Sequence, residues 1–484
     1  MTEITNPEAA ETATSPPQAP VGWAALAIAG IAQMLVMLDS TVVNVALPSI
    51  GTDLHASSIA LQWTVSGYVL TYGALLLFGG RLADSIGRRT AFLAGLALFA
   101  AASLACGLAQ NGSFLVTGRV VQGIGAALLS AAALSIIIST YGSIESQLKI
   151  ALTAWSALGV VGATVGVILG GAIVQALSWR WAFLINLPIV VVVAVAAVMR
   201  LAPMRAAGGP TSLKIPSAIV ATTGIGALCY GLSRFEDGIS SAAPWIIIAV
   251  GAVLMIGLFL VEDRSDDPLL PVSLLRTPVY ALSGVGLVLA ATLMLGALYV
   301  TSNYFQSAHG MSPLATGFAL LPLCLASLIA AFATPAIATK IGMAKLYFAG
   351  TALQIASLAT IIAVTASGTG NATIVIVALT VFGAGLPTMF VPLYTFGSAP
   401  IPPEQAGVGS GLLNTFNEAG AGVGLAVVAP ITAAIIASQL QDGAANDIAA
   451  TAGAHAGFLA LGGVAVLAAG IALVLGRLTN RSQT

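Results

Sequence analysis

The sequence predicts an all-α polytopic membrane protein with fourteen transmembrane helices, and three observations carry that prediction. Hydrophobic residues make up 58% of the 484 and charged residues only 7%, against roughly 25% charged in soluble domains. Apolar runs of about 20 residues, the length that crosses a bilayer, recur along the chain. Threading those runs through a membrane then leaves nearly every Lys and Arg on one side, as cytoplasmic loops require.

The runs place six helices near 22–48, 60–81, 91–109, 113–138, 150–176 and 180–199. Eight more follow near 216–233, 244–261, 279–306, 313–336, 346–366, 372–397, 408–437 and 455–476. With the N-terminus inside, every Lys and Arg except Arg119, Arg180 and Arg234 falls in cytoplasmic loops or tails. That asymmetry supports an even number of spans, two cytoplasmic termini and a multi-pass protein of the cytoplasmic (inner) membrane.

A faint internal repeat divides the chain. "GRLADSIGRRTAFLAG" (Gly80 to Gly95) resembles "PAIATKIGMAKLYFAG" (Pro335 to Gly350), each linking the second and third spans of a six-helix set. Two related bundles with an inserted helix pair is the economical reading, since repeat-built bundles are a common transporter architecture. The expected divisions are a disordered cytoplasmic tail (1–21), a first bundle (22–199), a linker with two inserted helices (200–278), a second bundle (279–476) and a tail (477–484). The first tail is polar, Pro-rich and acidic, with no basic segment before the first apolar run, so it reads as retained and not as a signal peptide.

Composition also excludes several functions. A net charge of −1 gives no basic footprint for nucleic acid. Cys106, Cys229 and Cys324 stand singly, and His55, His309 and His455 lie far apart, so neither a disulfide framework nor a metal site is expected. No GxxxxGK[ST] loop implies ATP, no clustered nucleophile implies an enzyme, and no cofactor is expected.

Against that background the embedded charges stand out. A charge at the bilayer centre costs at least about 2.5–3.5 kcal/mol, yet "MLVMLDSTVVNVALP" (Met34 to Pro48) carries Asp39. Asp39 lies roughly 13 Å, and Arg119 of the fourth span roughly 9 Å, from the outer face at 1.5 Å per residue. Intramembrane charges pair with one another or face a wet cavity, so an Asp39–Arg119 contact is expected, either as a permanent structural pair or as a working one. Glu418 in "GSGLLNTFNEAGAGVGLAVV" (Gly409 to Val428) lies near mid-bilayer, with Asn414 on the same helical face.

Four further motifs recur in order: "LDSTVVNVALPSI" (Leu38 to Ile50), "GRLADSIGRRT" (Gly80 to Thr90), "GRVVQGIGAALLSAA" (Gly118 to Ala132) and "ALGVVGATVGVILGGAIVQALSWRWAFLINLPI" (Ala157 to Ile189). Together they resemble the major facilitator superfamily, in its fourteen-helix drug:proton antiporter branch. The resemblance implies a proton-coupled exporter of amphipathic drugs, antibiotics or cationic toxic compounds, working by alternating access. It implies proton coupling at Asp39, Arg119 and Glu418, with Glu418 alternatively a docking anion for a cationic substrate. It also implies a conformational latch at Gly80, Asp84, Gly87, Arg88 and Arg89, where Asp84 with the arginines can form a charge network and the glycines allow tight turns. Gly162, Gly166, Gly170 and Gly171 correspond to the antiporter helix, in which Val167 replaces the usual proline; small residues at this spacing also serve plain close packing.

Aromatic and polar residues expected to line the cavity are Gln62, Trp63, Tyr68, Tyr299, Asn303, Tyr304, Phe305, Gln306 and Asn414. The partners expected are protons, a small molecule and the lipid bilayer, with the protein a monomer. An exporter dedicated to one endogenous metabolite and a facilitator-type importer remain the alternatives.

Overall fold

The computed structural model describes residues 23–141, 144–202, 214–234, 241–265, 268, 272–366, 371–402 and 406–481. The expected N-terminal tail, Arg205 with most of the first linker, and residues 482–484 lie outside the described residues. Among the described residues there is no strand, and the helices follow the apolar runs.

These helices are α1 (Ala24–Leu54), α2 (Ser58–Ile86), α3 (Arg88–Gly107), α4 (Gly112–Tyr141), α5 (Glu145–Ala176) and α6 (Trp181–Arg200). The inserted pair is α7 (Ile215–Ser233) and α8 (Ala242–Glu262). The second set comprises α9 (Pro278–Asn303), α10 (Pro313–Ile341), α11 (Met343–Ala366), α12 (Ala372–Ser398), α13 (Ala406–Gln441) and α14 (Asn446–Arg481). Thirteen are long and apolar enough to cross a membrane, and α5 contributes the shorter apolar stretch Val161–Ala176. The chain is an all-α polytopic membrane protein.

Several helices outrun their apolar cores. α1 continues past Pro48 through "SIGTDL" to Leu54, because a proline inside a spanning helix is tolerated where neighbours satisfy the freed backbone. α14 starts at Asn446 and not near 455; its first turns are Ala-rich, favourable for helix but weak in hydropathy. α2 likewise runs to Ile86, which places Gly80 inside the helix with open space around it and not in a turn. The turn falls on Gly87 alone, at φ +92°, a backbone that L side chains avoid.

Small residues set the helix packing. α1 lies along α5, α2 along α4 and α13, α10 along α5 and α12, α9 along α13 and α14, and α11 along α12 and α14. In α4, Gly123 faces the Tyr68 carbonyl of α2 and Gly125 the Phe99 backbone of α3, an approach that only small residues permit. Of the inserted pair, α7 packs against α2 and α13, and α8 packs against α7. Cys229 and Ile225 of α7 meet Leu70 and Trp63 of α2 and Ala426 and Val423 of α13. α7 therefore lies over the α2–α13 seam between the halves.

α1 begins and α14 ends at one end of the bundle, the terminal end; the opposite end is called the far end. Hydrogen bonds between the halves gather toward the far end. Ser302 Oγ donates to the Asn44 carbonyl at 3.1 Å, Gln306 Nε2 to the Val45 carbonyl at 3.2 Å, and the Leu314 amide to Gln175 Oε1 at 3.3 Å. At the same level the backbone of Pro313 and Leu314 lies against Gly171. These contacts tie the two halves together at the far end.

Candidate functional site

Asp39 and Arg119 meet deep in the first half, both fully buried. Arg119 Nη1 donates to Asp39 Oδ2 at 2.5 Å and to Gln122 Oε1 at 2.7 Å, and its Nε donates to the Thr64 carbonyl at 2.8 Å. The other carboxylate oxygen of Asp39 accepts from Gln122 Nε2 at 2.9 Å and from Asn186 Nδ2 at 2.7 Å. Ser103 Oγ accepts from both amides, at 2.7 Å from Gln122 and 3.0 Å from Asn186. The Tyr68 ring lies 4.1 Å below the guanidinium carbon, a cation–π contact strengthened by desolvation. One guanidinium nitrogen, Nη2, has no partner among the described residues.

This geometry fits a buried charge pair, whose heavy desolvation penalty is offset only when the remaining lone pairs and protons are also satisfied. Gln122 and Asn186 do that work, and neither was expected from the sequence. Gln122 stands three residues after Arg119 on the same helix face. Asn186 follows the break in α6 at Ile185, which restarts the helix and turns the amide toward α1. Replacing Asn186 with alanine removes one of three donors to a buried carboxylate. A loss of about 1.5–3 kcal/mol in stability is expected, and coupling to Asp39→Asn in a double-mutant cycle of thermal unfolding checks it.

Glu418 has a different setting. It sits mid-helix in α13 but is only half-buried, and its carboxylate accepts from Asn417 Nδ2 at 3.2 Å. Asn414 is occupied elsewhere, accepting from the Tyr394 hydroxyl at 2.8 Å. Gly73 of α2 lies directly against the Glu418 backbone and Cβ, at the seam between the halves. Tyr72, Tyr68 and Tyr394 are within electrostatic reach of Glu418. Tyr68 and Tyr72 stack at 6.2 Å on successive turns of α2, so one helix touches both carboxylate sites. Tyr72 also donates to Ser130 Oγ at 3.2 Å, which donates to Gln33 Oε1 at 2.5 Å.

The other expected residues separate into groups. Tyr68, Tyr304 and Phe305 are buried within the bundle, and Gln62 and Tyr299 are buried beside them in sequence. Trp63 does not face the interior: its ring packs edge-on against Tyr230 of α7 at 5.9 Å, so the inserted pair claims it. Asn303 bonds back to the Tyr299 carbonyl of its own helix at 2.9 Å. Tyr304, Phe305 and Gln306 form a π-helical turn, Tyr304–Ala308, at the end of α9, a distortion frequent at functional sites. His309 packs edge-on against Tyr304 at 4.8 Å, and burial lowers its imidazole below the usual range. Asn44 Oδ1, Thr301 Oγ1 and Tyr304 Oη are buried without a partner among the described residues.

The loop after α2 is also divided. Arg88 Nε lies 3.9 Å from Asp84 Oδ1, both partly exposed, and Arg89 donates to the Val198 carbonyl of α6 at 2.7 Å. Both contacts lie within the first half. The α5 glycines face two ways. Gly162, Gly166 and Gly170 lie on Met34, Leu38 and Val42 of α1, whereas Gly171 meets α10 across the seam. Thr41 Oγ1 donates to the Ala163 carbonyl at 3.0 Å across that α1–α5 contact.

Comparison with known proteins agrees with this architecture. Residues 29–425 match the family described as the Major Facilitator Superfamily. The puromycin resistance protein pur8 of Streptomyces alboniger is 31% identical over 91% of this chain and 87% of its own length. The tetracenomycin C resistance and export protein of Streptomyces glaucescens is 32% identical over 87% of this chain and 78% of its own. Among solved structures, a bacterial homolog to the human lysosomal transporter Spinster shares the fold, with a TM-score of 0.64 at 17% identity, covering 94% of this chain and 96% of that one. With a family match over most of its length and relatives above 30% identical over most of both chains, this chain belongs to the major facilitator superfamily and is a membrane transporter, not an enzyme.

Proposed function

We propose that the protein is a proton-coupled antiporter that exports amphipathic small molecules, antibiotics and cationic toxic compounds among them, by alternating access. The terminal end faces the cytoplasm and the far end faces outward, in the orientation that the Lys and Arg asymmetry favours. The roles of the relatives in resistance and export support the direction of transport. The observation that carries the mechanism is the contrast between the two carboxylates: Asp39 sealed and held by three donors, Glu418 mid-span, half-buried and held by one amide.

On this reading Glu418 is the site that a proton and a cationic substrate occupy in turn. Facing the cytoplasm it releases its proton and receives the substrate; facing outward it is reprotonated and the substrate leaves. The Asp39–Arg119 pair is the switch. It stays locked while the far end is closed, and protonation of Asp39 from the outer side weakens its hold on Arg119. α2 links the two events, because Tyr68 lies under Arg119 and Gly73 lies against Glu418. The unpartnered Asn44, Thr301 and Tyr304 oxygens give a polar substrate or water groups to bond.

Substrate-driven proton movement in proteoliposomes tests the assignment. Glu418→Gln is expected to reduce coupled transport of a monovalent cation by about tenfold or more, the scale of one lost charge contact in a low-dielectric site. A neutral substrate is expected to be affected less. Equal proton movement by wild type and Glu418→Gln with a cationic substrate would remove Glu418 from the cycle.

A further inference from the structure

A groove of about 280 Å³ opens between α11 and α14 at the terminal end, lined by Ala344, Lys345, Phe348, Leu473 and Arg477, with Ala472 and Gly476 at its base. Its volume falls just below the range that encloses a drug-sized ligand, which argues against a transport pocket. The groove exists because the helices approach on small residues: the Ala344 Cβ comes within 3.7 Å of where a side chain on Gly476 would begin. Lys345 lies in the first turn of α11 and Arg477 near the end of α14, so both cations stand at the border between membrane and water. Below them Phe348 and Leu473 are exposed at 47% and 52%, apolar walls that lead into the bilayer.

The two cations differ from several others at this end. Arg88 has Asp84, Arg276 has Asp263, Arg89 has a backbone carbonyl and Lys214 has Ser265. Lys345 and Arg477 have no hydrogen-bond or ion-pair partner among the described residues, and both are exposed. Two unpaired cations facing one groove, above an apolar wall open to lipid, match a ligand with an anionic head and a hydrocarbon tail. Basic pockets between spanning helices on the cytoplasmic side bind anionic lipid headgroups in this way.

We propose that the α11–α14 groove binds one anionic phospholipid, with its phosphate between Lys345 and Arg477 and an acyl chain along Phe348 and Leu473. Lys345 acts as a point charge, while Arg477 presents a planar fork to the phosphate oxygens. The site is separate from both carboxylates and does not depend on the proposed transport cycle. Its occupant pins the cytoplasmic ends of α11 and α14 together.

The test is retention of phosphatidylglycerol against phosphatidylcholine by the full-length protein, read by native mass spectrometry after purification from vesicles holding both lipids. Wild type is expected to keep phosphatidylglycerol preferentially. Lys345→Gln and Arg477→Gln are each expected to weaken that binding about fivefold, and the double variant about 25-fold, since each cation near a lipid surface contributes independently. Lys340→Gln removes an exposed cation outside the groove and is expected to bind as wild type does. The proposal fails if the double variant keeps the preference, or if Lys340→Gln loses as much as either groove variant. It also fails if glycerol phosphate displaces the lipid at equal concentration, because the site would then recognise a free phosphate. All three positions are exposed, and thermal unfolding of each variant verifies that the fold is intact.

Discussion

Arg119→Ala is expected to abolish coupled transport and to destabilise the protein by about 3–5 kcal/mol, the range for removing one member of a buried pair. The change leaves the Asp39 carboxyl buried with two amide donors and no cation beside it. The double variant Asp39→Leu/Arg119→Met separates the structural from the functional contribution. Replacing both members with apolar residues of similar size removes that carboxyl, and much of the stability lost in Arg119→Ala is expected to return. Transport is not expected to return, because the proposed switch is gone. Thermal unfolding in detergent and proton-driven efflux in proteoliposomes read the two quantities separately. Restored transport in the double variant would make the pair a structural bond alone.

Two glycines on one helix are expected to behave oppositely. A side chain on Gly166 would meet the Leu38 carbonyl at 2.7 Å, within one half. Gly166→Val therefore overpacks the α1–α5 contact, and a loss of about 1–3 kcal/mol is expected. A side chain on Gly171 would meet the Pro313 carbonyl at 2.5 Å and the Leu314 Cα at 2.9 Å, across the seam. In the proposed alternating-access cycle the halves separate there without unfolding, so Gly171→Val is expected to hold the far end open, stop transport and leave stability closer to wild type. Ser302→Cys, added to each variant, reports the difference. Ser302 is buried, its partner across the seam is the Asn44 carbonyl, and the three native cysteines are buried. Labelling of that cysteine by a bulky maleimide from the far side is expected to rise in Gly171→Val alone. Unchanged labelling with normal transport would mean that the α5–α10 contact is not a gate.

Length, hydropathy and charge determined much of this protein before any contact was known. A run of about 20 apolar residues has one economical home in a bilayer, as a helix. The helix order follows from those runs, and the spacing of Asp39 and Arg119 along their helices gives a common depth, since rise per residue is constant. What depth leaves open is rotation about the helix axis and the registry of segments far apart in sequence. Trp63 has the composition of a cavity residue, but the rotation of α2 turns it to α7. Gly171 directly follows Gly162, Gly166 and Gly170 in the glycine series, but its one-residue offset from Gly170 carries it from α1 to α10.

Asn186 illustrates the same limit. Nothing in its local sequence places it beside a residue 147 positions away; the break at Ile185 and the packing of α6 do that. Likewise, Asp39 and Glu418 read alike in sequence as single acids within apolar spans. Only the tertiary structure seals one behind three donors and leaves the other half-buried with one, because burial and hydrogen bonding are set by neighbours that the linear order does not name.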